Sequence, residues 1–209
     1  MSSASTTTST GSAGSSESAA ARGTRWRWGR RLSDWVDPKN TILAVLVILG
    51  AGLDGLRGVG WALFATLFAA VLPTLFIRYG VRTDRHVTQR RRRLVVIPFI
   101  MASVAVCFLS MLWLGAPRAL TALVVAMFVS LIPIMAITTV WKVSVHTAVL
   151  GGAVTVLGIA LSLWWLLGVA LLAAVAWGRV TVVEHTRAQT LVGALVGSLT
   201  AGLTFWLAR

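Results

Sequence analysis

Apolar residues occur in long unbroken runs from residue 41 to the C-terminus, with neither the strict alternation of a half-buried strand nor the one-sided stripe of a surface helix. Runs near the roughly 20 residues that cross a bilayer can hide their backbone polar groups only as spanning helices. The sequence therefore predicts an all-α integral membrane protein, a polytopic bundle of six to seven transmembrane helices. The candidate helices are 41–54, 59–78, 94–114, 119–140, 145–161, 163–178 and 189–207.

The run 41–54 is short for a span, and no Pro, Gly or charge lies beside Ser162. A continuous helix over 145–178 is too long for one span, so we predict a turn near Ser162. Prolines inside the spans are expected to kink helices without excluding them. Five glycines in the runs 145–161 and 189–207 are expected to allow close helix packing. They are Gly151, Gly152, Gly158, Gly193 and Gly197.

The first 40 residues differ in composition from the rest of the chain. Residues 1–21 are rich in Ser, Thr, Ala and Gly and have no apolar core of a signal peptide, so they predict a disordered tail. Residues 22–40 alternate Arg with Trp, which is typical of a segment at a headgroup interface. Residues 41–209 form the predicted membrane domain.

The charge balance indicates orientation in a membrane and not nucleic-acid binding. The net charge is +13, yet only 12% of residues are charged and 57% are hydrophobic, and the basic residues flank apolar runs. With seven crossings, all Lys and Arg except Arg57, Arg118 and Arg209 lie on one side. The positive-inside rule makes that side cytoplasmic, which places the N-terminus there in a multi-pass cell-membrane protein. The basic clusters also favour contact with anionic lipids. An Arg-dominated, lysine-poor composition suggests a bacterial source.

The sequence contains few residues that could support redox chemistry or bind a metal. Cys107 is the single cysteine and lies in an apolar run, so neither a disulfide framework nor a paired-cysteine metal site can form. Only Asp84 and Glu184 lie near the candidate site, whereas a two-metal phosphohydrolase needs several carboxylates. We expect no metal and no cofactor.

The three histidines, His86, His146 and His185, all fall on the predicted cytoplasmic side, within three basic stretches at 83–93, 141–152 and 178–193. Ionisable groups collected at one level of a helix bundle indicate a functional site. Arginine forks bind tetrahedral oxyanions in bidentate fashion, and a helix beginning at about Val145 would add its N-terminal dipole and the Ser144 hydroxyl. Two histidines can then act as nucleophile and general acid without a metal.

These three stretches resemble the motifs of the type 2 phosphatidic acid phosphatase superfamily, integral membrane lipid phosphate phosphatases. The family pattern Ser-Arg-x5-His-x3-Asp reads here Gly178, Arg179, five residues, His185, three residues, Gln189; Pro-Ser-Gly-His reads Val143-Ser144-Val145-His146. In the basic run, either Arg85 with Arg92 or His86 with Arg93 keeps the spacing of Lys-x6-Arg. The resemblance spans about 83–197, with all motifs in the family's order.

The resemblance implies roles for these residues. His185 would form a phosphohistidine and His146 would protonate the leaving group. Gln189, which stands where the family has Asp, lies at i+4 on the same helix face as His185 and its amide oxygen can accept the ring N–H; a Gln here also resembles a form found in dolichyl diphosphatases. The residues expected to bind phosphate are Arg179, Lys142, Ser144, Arg85, His86, Arg92 and Arg93.

The function expected from the sequence is hydrolysis of a lipid or polyprenyl phosphate or diphosphate. The substitutions in the motifs favour a second hypothesis, a catalytically inactive protein that binds phospholipid or prenyl phosphate, or serves as a scaffold. A third hypothesis is a transporter or flippase, because charged groups inside a bundle also line transport paths; the sequence lacks the paired broken helices of inverted repeats.

Overall fold

The computed structural model describes the backbone of residues 11–80 and 89–209, and the side chains of residues 23–79 and 95–209. This part of the chain is helical throughout and contains no strand, which confirms the predicted all-α class. The helices are α1 (Gly11–Trp35), α2 (Pro38–Thr66), α3 (Leu72–Leu75), α4 (Gln89–Trp113), α5 (Arg118–Val140), α6 (Val145–Ala160), α7 (Gly168–Thr181) and α8 (Arg187–Ala208). Two π-helical turns, Leu67–Val71 and Phe76–Gly80, flank α3, and a 3₁₀ turn, Leu163–Leu167, precedes α7.

The long helix α2 folds back on itself at Gly55. This residue has φ 57° and ψ −136°, a backbone conformation that only glycine adopts readily. A Cβ built on Gly50 would lie 2.5 Å from the carbonyl oxygen of Gly58, although eight residues of straight helix would separate the two by about 12 Å. Residues 38–54 and 56–79 therefore form a helical hairpin, which agrees with the predicted break between 54 and 59.

The predicted turn near Ser162 is also present. Helix α6 ends at Ala160, and Ser162 adopts an extended conformation and accepts a hydrogen bond from Trp164 N at 3.4 Å. The chain then returns along α6, because a Cβ built on Gly168 would lie 2.7 Å from Val154. Since residues 160–168 reverse the chain direction, the run 145–178 is two antiparallel segments.

Among the described residues, five stretches are long and apolar enough to cross a membrane: Pro38–Tyr79, Val95–Trp113, Arg118–Val140, Leu163–Thr181 and Arg187–Ala208. This confirms that the protein has several apolar helices of membrane-spanning length. The first stretch contains the Gly55 reversal, and α6, with 16 residues, is shorter than a full span.

The helices are apolar on inward and outward faces alike. Phe205 and Leu46 are fully buried in the main core, which α2, α4, α5, α6 and α8 share. On the outer face of α8, Leu199, Leu203 and Leu207 are each more than 60% exposed. Leucines exposed in continuous rows along a helix are costly in water and favourable in a bilayer.

Helix α1 lies against α7. Gly29 packs on Gly178, with a built Cβ 3.3 Å from the Gly178 backbone, and the Arg25 guanidinium lies 5.9 Å from the centre of the Trp177 ring. The helix begins at Gly11 and ends at Trp35. Residues 1–10 lie outside the described part.

The alternation of chain direction gives the bundle two ends. At one end lie the N-termini of α2, α6 and α8 and the C-termini of α5 and α7; this is called the histidine end, because His146 and His185 are here. At the other end lie the Gly55 reversal, the loop 114–117 and the turn at Ser162; this is called the turn end. Arg209 at the turn end donates from Nη1 to Ile159 O at 2.8 Å, which ties α8 to α6.

Candidate functional site

A short extended segment brings α6 to the histidine end in a defined position. Helix α5 ends at Val140, the chain is extended at Trp141 and at Ser144, and α6 begins at Val145, as the sequence predicts. Ser144 N donates to Gln189 O at 3.2 Å, so the loop before α6 is attached directly to the first turn of α8.

Helices α6 and α8 approach each other closely just below this attachment. Thr147 Oγ1 donates to Thr190 O at 2.9 Å. A Cβ built on Gly193 would lie 2.5 Å from Ser144 O and 2.6 Å from Thr147 Oγ1, so no larger residue fits without displacing backbone. This bears out the expected packing role of Gly193 and fixes the start of α6 relative to α8.

The loop between α7 and α8 folds back on Arg179. The backbone N–H groups of Glu184 and His185 both donate to Arg179 O, each at 3.2 Å. Val183 lies between the end of α7 and Glu184 and has φ 58°. It is the one non-glycine residue with positive φ in the described part. A β-branched residue in this conformation stores roughly 1–3 kcal/mol of strain, and such strain occurs most often at functional sites.

His185 is held by the start of α8. The Thr186 hydroxyl accepts from Gln189 N at 3.3 Å, and Gln189 Oε1 accepts from Thr186 N at 3.1 Å, a reciprocal helix cap. The same Oε1 atom lies 3.2 Å from His185 Nδ1. The contact expected between His185 and Gln189 is thus present. Gln189 also has a structural role, because it caps the N-terminus of α8.

Glu184 binds three cations. Its carboxylate forms an ion pair with the Arg179 guanidinium through Oε2 and lies 3.5 Å from Arg30 Nη1 through Oε1. Its backbone carbonyl accepts from Lys142 Nζ at 2.6 Å. Arg30 also pairs with Asp34 at 3.6 Å on the outer face of α1. The cationic groups contributed by α1, the 141–144 loop and α7 therefore converge on one acidic residue.

Several buried polar atoms at this end have no hydrogen-bond partner among the described residues. They are Ser33 Oγ, Ser144 Oγ and Arg179 Nε. Ser144 is fully buried and Arg179 is 8% exposed. An unsatisfied buried donor costs about 1–3 kcal/mol, and native structures rarely leave one without a water or a ligand. Ser144 sits at the N-cap of α6 but makes no side-chain cap bond, so its hydroxyl is available beside the helix dipole.

His146 lies in the first turn of α6, partly buried at the same end as His185. Arg179, Asp37, Glu184 and Asp34 are close enough to interact electrostatically with its ring. The histidine therefore shares its surroundings with the Arg179–Glu184 pair and with the start of α2.

The remaining predicted phosphate ligands cannot be placed. Arg85 and His86 lie outside the described residues, and Arg92 and Arg93 belong to α4 without described side chains. Among the described candidates, Lys142 and Arg179 both contact Glu184. His185 contacts Gln189, whose backbone carbonyl accepts from Ser144 N.

Sequence reasoning missed Arg30, Ser33 and the central position of Glu184. Arg30 and Ser33 were part of a segment assigned to the membrane surface, and nothing in their local pattern predicts contact with residues near 180. Gly178 could have predicted a close approach of another helix, because it stands where the resembled motif has Ser. In the structure, a Cβ on Gly178 would lie 3.0 Å from Gly29 O. The glycine lets α1 reach Arg179.

No family model matches the chain, and neither a curated protein nor a solved structure matches it. The likeness to lipid phosphate phosphatases therefore rests on the residues quoted from the sequence alone.

Proposed function

We propose that the protein binds the phosphate or diphosphate group of a membrane lipid at the histidine end and hydrolyses it without a metal. The observation that carries the proposal is that two buried donors at this end, Ser144 Oγ at the N-terminus of α6 and Arg179 Nε, have no hydrogen-bond partner in the described part of the chain. A phosphoryl oxygen satisfies such donors, and the helix N-terminus adds favourable electrostatics.

The proposed chemistry uses the two histidines. A His185 ring that donates Nδ1–H to Gln189 carries its lone pair on Nε2, which attacks phosphorus. An N–P bond forms as the P–O bond breaks that joins this phosphorus to the lipid alcohol or, in a diphosphate, to the lipid monophosphate. His146 donates a proton to the departing oxygen, and a bound phosphate dianion favours the protonated ring that this step requires. The deprotonated His146 then takes a proton from a water that attacks the phosphohistidine, the N–P bond breaks, and phosphate is released with both histidines restored.

An apolar cavity that reaches the first residue of α6 supports an amphiphilic substrate. It has a volume of about 90 Å³, is lined by residues of α2, α4, α5, α6, α8 and the π-helical turn after α2, and extends along α6 from Val145 to Val156. Eleven helical residues span about 16 Å, so the cavity extends from the first turn of α6 into the middle of the bundle. Its lining is apolar apart from Ser130, which suits a hydrocarbon chain.

We further propose seven membrane crossings with the histidine end in the cytoplasm. The Gly55 hairpin and the Ser162 turn support seven segments of alternating direction. In the described part, Arg57, Arg118 and Arg209 are the basic residues outside the histidine end, and the positive-inside rule then sets the orientation. Labelling of single cysteines at positions 140 and 188 from each side of sealed vesicles tests it.

The test of activity is phosphate release by the purified protein from prenyl diphosphates, prenyl phosphates and phosphatidic acid in mixed micelles. We expect turnover of at least one substrate, lost in His185→Ala and in His146→Ala. Turnover that survives His185→Ala at the full rate contradicts the mechanism.

A non-catalytic lipid-binding role is the second candidate, favoured by Gln189, whose place in the helix cap accounts for it without catalysis. Binding of phosphatidic acid without turnover of any substrate in the panel selects this role.

A further inference from the structure

Glu184 occupies the position at which an anionic ligand would meet the cations of the site. Its carboxylate pairs with Arg179 through Nη2 and with Arg30 through Nη1, and Arg179 is the guanidinium group that the proposed function assigns to the phosphate. Two anions that bind the same guanidinium nitrogen repel each other. A phosphate that binds Arg179 through Nη2 therefore competes with the Glu184 carboxylate.

The backbone around Glu184 holds the carboxylate in a defined position. Val183, the preceding residue, is 87% exposed and has φ 58°, a conformation unfavourable for valine. It lies just after the end of α7, where Val183 N donates to Val180 O at 3.0 Å and Glu184 N donates to Arg179 O at 3.2 Å, the paired bonds of a helix C-cap. Together with the Lys142 bond to the Glu184 carbonyl, this cap places the carboxylate beside Arg179 and Arg30.

We propose that Glu184 is an internal competitor of the ligand phosphate: a carboxylate that holds Arg179 and Arg30 until a phosphate displaces it, and so sets the affinity and selectivity of the site for strongly charged headgroups. This rests on the proposed function only in requiring that the ligand carry phosphate. A dianionic monoester or a diphosphate competes with one carboxylate better than a singly charged phosphodiester does, so ordinary bilayer phospholipids are excluded.

The first test is phosphate binding by the full chain in detergent micelles, with inorganic phosphate in one arm and phosphatidic acid in the other. Glu184→Gln keeps the size of the side chain and its capacity to accept a hydrogen bond while removing the charge. We expect about tenfold tighter binding of both probes, and weak binding of a phosphodiester lipid that wild type rejects. Tighter binding of phosphatidic acid alone points to the lipid headgroup as the source of the phosphate. Equal or weaker binding of both probes overturns the proposal, because Glu184 would then only hold Arg179 in place.

The matched control is Asp34→Asn. Asp34 pairs with Arg30 at 3.6 Å, and both side chains are more than half exposed, so its longer-range interaction with Arg179 is screened by solvent. Removal of its charge is therefore expected to change affinity by no more than about twofold. Val183→Gly tests the strain separately, because glycine adopts this φ without penalty and stabilises the conformation in which Glu184 is bound. We expect its phosphate affinity to fall about threefold, opposite in sign to Glu184→Gln.

A readout without any ligand separates this proposal from the proposed function. Phenylglyoxal modifies unpaired guanidinium groups, and mass spectrometry resolves Arg179 from the other arginines. Faster modification of Arg179 in Glu184→Gln than in wild type or Asp34→Asn supports the proposal that Glu184 holds the Arg179 guanidinium. If phosphate neither binds nor protects Arg179 from modification, the proposed phosphate site is rejected, whereas the pairing of Glu184 with Arg179 is not. Equal modification rates overturn the internal competitor.

Discussion

The two ends of the helix bundle use arginine in different ways. At the turn end, Arg118 and Arg209 donate to the free carbonyls of Ala208 and Ile159, at 3.4 and 2.8 Å, and so complete helix C-termini. At the histidine end, Arg179 is buried, pairs with Glu184 and leaves Nε without a partner among the described residues. Arginine therefore satisfies backbone carbonyls at one end and keeps an unused donor at the other, as the proposed binding of phosphate requires.

The largest difference between the two ends is expected in the hydrolysis rate when an arginine is replaced by alanine. Arg179→Ala should lower the hydrolysis rate about 10³-fold, as removal of a donor that stabilises transition-state charge does. Arg179→Lys should recover little, since an ammonium cannot form two parallel bonds to phosphate. Arg118→Ala serves as the control from the turn end and should retain at least half of the wild-type rate. Similar losses in Arg179→Ala and Arg118→Ala would show that the site does not depend on Arg179.

A second difference concerns packing. Gly193→Leu forces a side chain onto Ser144 O and Thr147 Oγ1 and should destabilise the fold by about 3 kcal/mol, seen as a lower melting temperature in detergent. Near the turn end, a Cβ on Gly60 meets nothing within 4 Å, so Gly60→Ala should leave the melting temperature unchanged or slightly raised. A stable Gly193→Leu variant would mean that α6 and α8 are further apart than described.

How far the sequence predicts the structure differs between the bundle and the site. The apolar runs predicted the helices, most of their boundaries and the break after residue 54, and the length limit of a bilayer span predicted the reversal near Ser162. Lys142 and Arg179, which come from two of the motif stretches, both contact Glu184. The place of Arg30 did not follow, because contact between residues 154 positions apart depends on how α1 packs on α7. The ion pairs of Glu184 depend on the unusual backbone at Val183, which no local preference of valine predicts.

A smaller effect is expected at the helix cap. Gln189→Ala removes the acceptor for Thr186 N and for the His185 ring, and should cost about 1 kcal/mol of stability together with part of the hydrolysis rate. Gln189→Glu keeps an oxygen in place and should restore both. Loss of stability without any change in rate would assign Gln189 to the cap alone.

The smallest effect is expected at the exposed ion pair. Arg30 lies 3.5 Å from Glu184 and 3.6 Å from Asp34 with half of its side chain in solvent, so Arg30→Ala should change the free energy of unfolding by less than about 1 kcal/mol. Arg209→Ala, which removes the bond to Ile159 O, is the comparison at the turn end and should cost at least as much. A larger loss for Arg30 would mean that α1 contributes more to the fold than its exposed contacts indicate.

The most direct measurement of the central claim is a rapid-quench experiment with a prenyl diphosphate labelled in its terminal phosphate. If the histidine end performs the proposed chemistry, a label that survives alkali and is lost in acid appears on the wild-type chain within the first turnover. The label maps to His185 and is absent from His185→Ala. In His146→Ala the label accumulates only if phosphoryl transfer to His185 still occurs without the general acid. Substrate hydrolysis by wild type with no protein-bound label, at a rate that His185→Ala matches, would contradict the account.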